Sequence, residues 1–472
     1  MSAPVRDTGS FRDPSGYVFI DGQRILRAVM PVADAEFRAV HDSGLIDRLA
    51  RTGLMLPCTR LDGDATLLTR LAGPRGERAA SVYEQPRLPF ISYPYEWSFS
   101  QLKDAALAHL DLQLAAFDEG YVLSDASAYN MQFLHARPVH IDVMSLRPYR
   151  DGQHWDGYNQ FCRQFVLPLA IEAWTGLSFQ PMYRGAINGI SFEDALAILP
   201  RRKLFTSMGG LMHIYLHGRA VTSNSATTKA KEATVRPLPK ARHRGLIEHL
   251  RGFVAGLASR KRPDSFWKDY AARNSYSDAM RTVKLAFVRD WAAAAQPGTI
   301  FDLGGNTGDF SMAAMEKGGA TSSIVLDGDL DAVETGYRIS RESGRPILPL
   351  LMNLADPTPD MGWRQSERKG LAARTDSGGV IALAVIHHMV IGGNLPLEEV
   401  VNWFIDLAPK GIIEFVPKRD PMVREMLMHR EDIFSDYDEE TFRALVGKRC
   451  RVVAEHLFEE NGRLLLAFER ER

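Results

Sequence analysis

Residues 299–310, TIFDLGGNTGDF, constrain this chain more than any other stretch. The segment 299–303 is short, mostly apolar and β-prone, as expected of a strand buried on both faces of a parallel sheet. Glycines at 304, 305 and 308 then let the backbone turn sharply and let a ligand approach where a Cβ would otherwise stand. The spacing predicts a strand, a tight bend and the start of a helix, with Asp302 where the strand gives out. Several nucleotide-containing cofactors are bound by such a bend.

The neighbouring sequence turns this bend into part of a sheet. A helical pattern precedes it at 278–295, and strand-like runs follow at 323–326, 347–352, 380–386 and 411–416. Each pair is separated by a segment long enough for a crossover, which argues for parallel strands with helices on both faces. The last two runs, 451–458 and 463–468, are joined only by Glu459-Glu460-Asn461-Gly462 and should form an antiparallel hairpin. The expected fold of this region is therefore α/β, a Rossmann-like seven-stranded sheet. Asp327 ends the second strand about twenty residues past the glycine bend, where an acid accepts hydrogen bonds from ribose hydroxyls. A nicotinamide dehydrogenase would carry the same acid, so this pair alone does not choose the cofactor.

Five alternating units closed by a hairpin, with Asp302, Gly304, Asn306 and Gly308 at the D-x-G-x-G-x-G positions, resemble the class I S-adenosylmethionine-dependent methyltransferases over about two hundred residues. Asn306 replaces the middle glycine, and asparagine tolerates left-handed backbone better than most side chains. The resemblance implies S-adenosyl-L-methionine as cofactor, with the glycine bend against its methionine part and Asp327 on its ribose. It implies a polar residue after the third strand for adenine, and Asn353 is the first choice because an amide both donates and accepts. It also implies that the end of the fourth strand, Ile386-His387-His388, lies beside the sulfonium. His387 or His388 is then a candidate base; the alternative is that one fixes the loop and the other packs on the cofactor. No metal site is expected from this pair. Charges at 414–421 share the same edge and either touch the acceptor or form surface ion pairs. Tyr276 and Lys284 either close the pocket as a lid or belong to a helix packed on the sheet.

The first 205 residues read as a separate α+β domain. A hairpin is expected at 16–27, turning at Asp21-Gly22, then a helix at 34–49 capped by Asp34, and another at 98–117 capped by Ser98 or Ser100. After it come a loop with Asp125 and Asn130 and a hairpin ending at Asp142. This order of elements, about fifty residues, resembles the catalytic segment of protein-kinase-like phosphotransferases, which implies an acceptor-orienting role for Asp125 and metal-holding roles for Asn130 and Asp142. Leu123-Ser124 and Val143 depart from that family's pattern, and neither a glycine-rich phosphate loop nor a nucleotide-binding lysine is found upstream. The domain therefore reads as kinase-like and degenerate, with Asp125 and Asn130 as loop residues capping their own backbone. Helices are expected at 158–174 and 191–199, and the aromatic run at 93–99 as a bridge within the core. Residues 201–262 carry roughly fourteen Lys and Arg against about two acids; within them 206–262 reads as a basic linker, leaving 263–472 as the methyltransferase-like domain.

Length and composition agree with this division. A chain of 472 residues, 45% hydrophobic and 24% charged, is expected to make two or three ordinary domains. Three scattered cysteines form no disulfide framework or zinc motif. There is no apolar leader and no apolar run of about 18 residues, so no membrane span is expected and the default location is cytoplasmic. A net charge of -1 gives no global sign of nucleic acid. The whole resembles bacterial nodulation host-specificity proteins, which implies a methyltransferase acting on a small-molecule or glycan acceptor. The alternatives are a bifunctional enzyme whose N-terminal half transfers phosphate, and a non-catalytic cofactor-binding scaffold. The oligomeric state is not legible.

Overall fold

The computed structural model describes residues 4–61, 65–73, 76–226, 236–260, 278–374 and 376–471. The chain divides into two compact units, the first comprising Met1–Arg262 with Met361–Arg368, the second Pro263–Asp360 with Lys369–Arg472.

The first unit opens with an antiparallel five-stranded sheet in the order β1-β2-β3-β5-β4, built from β1 (Val5–Arg6), β2 (Gly16–Asp21), β3 (Arg24–Val29), β4 (Thr59–Arg60) and β5 (Ser81–Gln85). The expected hairpin is present, with Asp21 opposite Arg24 and left-handed backbone at Gly22, φ 58°. The helix expected at 34–49 is instead two helices, Pro31–Asp42 and Leu45–Arg51. Gly44, at φ 72°, breaks it, and Pro31 rather than Asp34 starts it. The helix Phe99–Asp118 begins as its sequence requires: the Ser98 side chain accepts from the Gln101 amide while the Gln101 side chain accepts from the Ser98 amide. Two small hairpin-like pairs follow, β6 (Tyr121–Leu123) with β9 (Leu146–Pro148) and β7 (Met131–Leu134) with β8 (Arg137–His140).

Tyr93, Tyr95, Trp97 and Phe99 are all buried, and the Trp97 indole donates to the Ser92 hydroxyl at 2.8 Å, so the aromatic run serves the core. The helical stretch expected at 158–174 contains a π-helical turn, Cys162–Val166, just before Pro168, whose missing N–H cannot continue the regular ladder. The stretch 206–262, expected as a linker, is helical over much of its length. A π-helical segment Gly210–Leu216 runs into helix His217–Ala226, and a further helix, Lys240–Gly256, packs on Phe99–Asp118. The basic side chains obscured a helical stripe, Ile247, Leu250 and Val254, that is fully buried.

The second unit carries a seven-stranded mixed sheet with the Rossmann-like α/β layering the sequence predicts. Its strands are β10 (Gly298–Leu303), β11 (Ala320–Asp327), β12 (Ile347–Leu351), β13 (Gly379–Ala382), β14 (Lys410–Phe415), β15 (Cys450–Phe458) and β16 (Arg463–Arg470), in the order β12-β11-β10-β13-β14-β16-β15. The first five pair in parallel and β16 runs antiparallel between β14 and β15. Helix Asp278–Ala295 precedes β10 as expected, whereas Tyr276 lies outside the described residues. The fourth strand, expected at 380–386, stops at Ala382: Ala384 takes a left-handed φ of 50°, which no strand tolerates, and His388–Gly392 forms a π-helical turn. Among the described residues no helix is long and apolar enough to cross a membrane.

Gly411 lies between β13 and β16, where a Cβ would stand 2.5 Å from Val380 Cγ1, 2.6 Å from the Val380 carbonyl oxygen and 2.8 Å from the Phe468 ring. Gly411→Ala is expected to lower unfolding stability by about 1–3 kcal/mol, measured by chemical denaturation, because overpacking here must displace backbone.

Candidate active site at the carboxyl edge of the second sheet

The side chains and bends that matter in the second unit gather where β10, β11, β13 and β14 end. At the close of β10, Asp302 is buried, and its Oδ2 accepts from the Ser311 hydroxyl at 2.6 Å. Burial pushes the Asp302 carboxyl up to about 6, against the Ser311 hydrogen bond, with Asp327 adding to the rise. The chain then turns through Gly304 (φ 66°), Asn306 (φ 50°) and Gly308 (φ 88°). At Gly305 the constraint is space instead: a Cβ would stand 2.5 Å from the Asp302 carboxyl carbon. The Gly304 amide donates to the Leu326 carbonyl at 2.8 Å, fastening the bend to β11. Helix Asp309–Met315 starts immediately after Gly308.

Asp327 ends β11 as the sequence requires and is tied to the bend, its Oδ2 accepting from the Asn306 amide at 2.8 Å and its Oδ1 from the Asp329 amide at 2.8 Å. Burial raises its carboxyl above the ordinary value. Neither Asp302 nor Asp327 has an ion-pair partner among the described residues. Of the expected cofactor residues on the bend, Asn306 bonds Asp327 directly, while Gly304 is fastened to Leu326, the residue before Asp327. Asn353 follows β12, but it is exposed and its Oδ1 accepts from the Ala355 amide at 3.0 Å, closing a local turn.

His387 and His388 stand one turn past β13, their rings 4.1 Å apart. His387 is fully buried, neither ring nitrogen has a hydrogen-bond partner among the described residues, and burial holds it well below the ordinary histidine range. His388 is partly buried and pushed down to about 4 by burial and by Arg463. Both rings are neutral at pH 7. The turn that carries them is set by a buried ion network that sequence reasoning missed. Glu414, at the end of β14, accepts from the Ala384 amide at 2.9 Å through Oε2, and its Oε1 meets Lys284 Nζ at 2.5 Å and an Arg463 nitrogen at 3.2 Å. Arg463 also reaches Asp420 at 2.7 Å, and all four charged side chains are essentially inaccessible.

Burial would push the Glu414 carboxyl up, but Lys284 and Arg463 outweigh it and hold it below the usual range. Burial lowers Lys284 to about 8, against the pull of Glu414, which leaves it charged at pH 7. Lys284 is therefore an internal pillar, not a lid. Glu414 and Asp420 are not surface pairs; only Lys418, joined to Asp432 at 2.7 Å, fits that expectation. No signal in the linear sequence marks these charges as internal.

In the first unit, Asp125, Asn130 and Asp142 also come together. Asn130 Nδ2 donates to Asp125 Oδ2 at 3.0 Å and to Asp142 Oδ2 at 3.5 Å. The Ser127 amide caps Asp125 Oδ1 at 2.9 Å, as a loop residue would require. Arg27 on β3, absent from the sequence reading, pairs with Asp142 at 3.1 Å and donates to the Ile141 carbonyl at 2.8 Å. Burial, and then the charge of Asp142, raise the Asp125 carboxyl.

Two predictions follow from this electrostatic arrangement. Glu414→Ala leaves Lys284 and Arg463 buried without their shared partner and frees the Ala384 amide; a loss of about 3–5 kcal/mol in unfolding free energy is expected. For Asp302 the sign is opposite. Its folded value lies above the unfolded 3.8, so its contribution is full below about pH 4 and is lost as pH rises through about 6. Asp302→Asn should flatten stability across that window by up to roughly 3 kcal/mol, read from denaturation midpoints against pH.

No protein-family model matches the chain. Two solved structures are similar to it over part of its length: magnesium protoporphyrin IX methyltransferase ChlM from Synechocystis PCC 6803, 15% identical, covering 45% of this chain and 87% of that one with a TM-score of 0.30, and the N-methyltransferase NodS from Bradyrhizobium japonicum WM9, 8% identical, covering 42% and 99% with a TM-score of 0.30. Along almost its whole length the chain is 42% identical to nodulation protein NoeA of Rhizobium meliloti, over 469 residues that cover 99% of this chain and 96% of that protein. The chain belongs to the family of nodulation protein NoeA.

Proposed function

We propose that the second unit is an S-adenosylmethionine-dependent methyltransferase acting on a small-molecule or glycan acceptor. The observation that carries this reading is the pair Asp302 and Asp327, two carboxylates with no ion-pair partner among the described residues, set at either side of the glycine bend at the carboxyl edge of a parallel sheet. A carboxylate is an acceptor only, so Asp327 suits ribose hydroxyls, and an uncompensated acidic edge suits a ligand that carries positive charge. Asp302, Gly304, Asn306, Gly308 and Asp327 would hold the cofactor, with Asn353 the remaining candidate for its base. When bound, the cofactor supplies an activated methyl group.

The chain's own part in transfer is alignment, and removal of a proton where the acceptor is a poor nucleophile. His388, neutral and only partly buried, is the better placed of the two histidines to accept that proton, while His387 packs behind it. The relative's name, a nodulation protein, is compatible with a specialised acceptor. A second reading assigns phosphate transfer to the first unit, and it is favoured by the meeting of Asp125, Asn130 and Asp142 beside Arg27. A non-catalytic, cofactor-binding scaffold is the third.

Calorimetry with the full chain separates these. S-adenosylhomocysteine should bind the wild type and Asp125→Ala alike, and weaken by about ten- to a hundredfold in Asp327→Ala, the equivalent of ~1.5–3 kcal/mol for hydrogen bonds to a charged group. A wild type that fails to bind it sinks the first reading. Magnesium-dependent ATP binding abolished by Asp142→Ala would establish a nucleotide site in the first unit, and cofactor binding with no labelled methyl transferred to any compound in a lysate would leave the scaffold.

A further inference from the structure

The first unit carries an apolar surface that its own core leaves uncovered. Helix Arg201–Thr206 ends at Ser207, whose hydroxyl accepts from the Gly210 amide, and the chain turns into the π-helical segment Gly210–Leu216. One face of this corner is core, with Leu204, His213 and Ile214 buried. The other face presents Met208, Met212 and Leu216, spaced by four, at 63%, 40% and 52% exposure. Phe205 is 53% exposed, and its ring meets Tyr215 edge-on at 4.8 Å, which holds the end of helix Arg201–Thr206 against the segment that carries them. Four large apolar side chains are thus exposed within twelve residues of one corner, a density that isolated surface hydrophobics do not reach.

Charge decides what such a patch fits. Arg201, Arg202 and Lys203 are exposed on the preceding helix and Arg219 is exposed one turn beyond Leu216. None of these four has a carboxylate partner among the described residues, and the sequence holds no Asp or Glu from 195 to 231. The chain as a whole has a net charge of -1, so this is a local concentration of unpaired cations around apolar side chains and no part of a general basic field. Long basic side chains flanking exposed Phe, Met and Leu on a helix match a surface with anionic headgroups above an apolar interior.

We propose that the corner formed by residues 201–219 docks the protein peripherally on an anionic phospholipid surface, with Phe205, Met208, Met212 and Leu216 entering the headgroup boundary and Arg201, Arg202, Lys203 and Arg219 meeting lipid phosphates. The attachment is interfacial, and it is independent of whether the second unit transfers methyl groups.

The test is co-sedimentation of the full chain with vesicles of phosphatidylcholine alone and of phosphatidylcholine with about a third phosphatidylglycerol. The wild type should sediment with the anionic vesicles and not with the neutral ones. Met208→Ser, Met212→Ser and Leu216→Ser combined should lower the bound fraction at least about tenfold. Arg201→Gln, Arg202→Gln and Lys203→Gln combined should weaken binding by about fivefold per charge removed. Because every substituted side chain is exposed, both variants should melt at the wild-type temperature, and the charge variant gives a second reading should the serine variant not fold. A wild type that stays in the supernatant, equal binding to neutral vesicles, or binding unchanged in both variants overturns the proposal. So does a wild-type dimer that becomes monomeric in the serine variant without any vesicle binding, which would assign the patch to a second copy of the chain.

Discussion

The second unit depends on the buried carboxylate of Glu414. Through it, helix Asp278–Ala295, the end of β14, the segment holding Asp420 and the first residue of β16 are tied at one point. Removing these charges from water costs several kcal/mol each, and that cost is offset only while two cations and two anions remain matched with their hydrogen bonds made. The same carboxylate satisfies the Ala384 amide and so stabilises the left-handed residue that ends β13 and aims the His387–His388 turn. The geometry of the sheet's carboxyl edge therefore rests on partners far apart in the chain, with Lys284 and Arg463 separated by most of the unit.

Much of the fold was legible because hydrophobic period and turn chemistry are local. The strand and glycine bend at 299–310, the helix at 278–295 and the closing hairpin all appear close to where the sequence puts them. Failures occurred where a distant partner decides. Val380 to Ile386 is a uniformly apolar and β-prone run, and nothing in it announces that Glu414 will hold Ala384 in a turn. Lys284 lies in an amphipathic helix, where a lysine ordinarily faces water, and its pairing with Glu414 makes the burial tolerable. Other misses were avoidable. Gly44 marks the break in the helix expected at 34–49, and the stripe Ile247, Leu250 and Val254 was visible beneath the basic charges of 206–262. Asp302, the bend and Asp327 stand at the strand ends where their spacing puts them, whereas the bond from the Ala355 amide to the Asn353 oxygen depends on a local turn.

The two units treat their acidic clusters differently. In the second, Asp302 and Asp327 are raised chiefly by burial and have no ion-pair partner among the described residues. In the first, Arg27 sits against Asp142 and Asn130 donates to both neighbouring carboxylates, so that cluster is largely satisfied by its own side chains. A cationic ligand would meet no arginine paired to these carboxylates among the described residues in one place and would have to compete with Arg27 in the other. That contrast is a physical reason to look for tight ligand binding in the second unit first.

Segment Met361–Arg368 belongs to the first unit although the chain reaches it only after β12. There Glu367 takes two hydrogen bonds from Arg12, at 2.6 and 2.8 Å, and the Arg368 guanidinium lies 4.1 Å from the centre of the Tyr129 ring. Domains usually complete their folding in the order in which they leave the ribosome. This one cannot, because its last eight residues are translated about a hundred positions after the rest. The contacts of Arg12 and Tyr129 with this segment can form only after β10 to β12 have been synthesised, and a gene cut at the apparent boundary would yield a first half lacking a piece of itself.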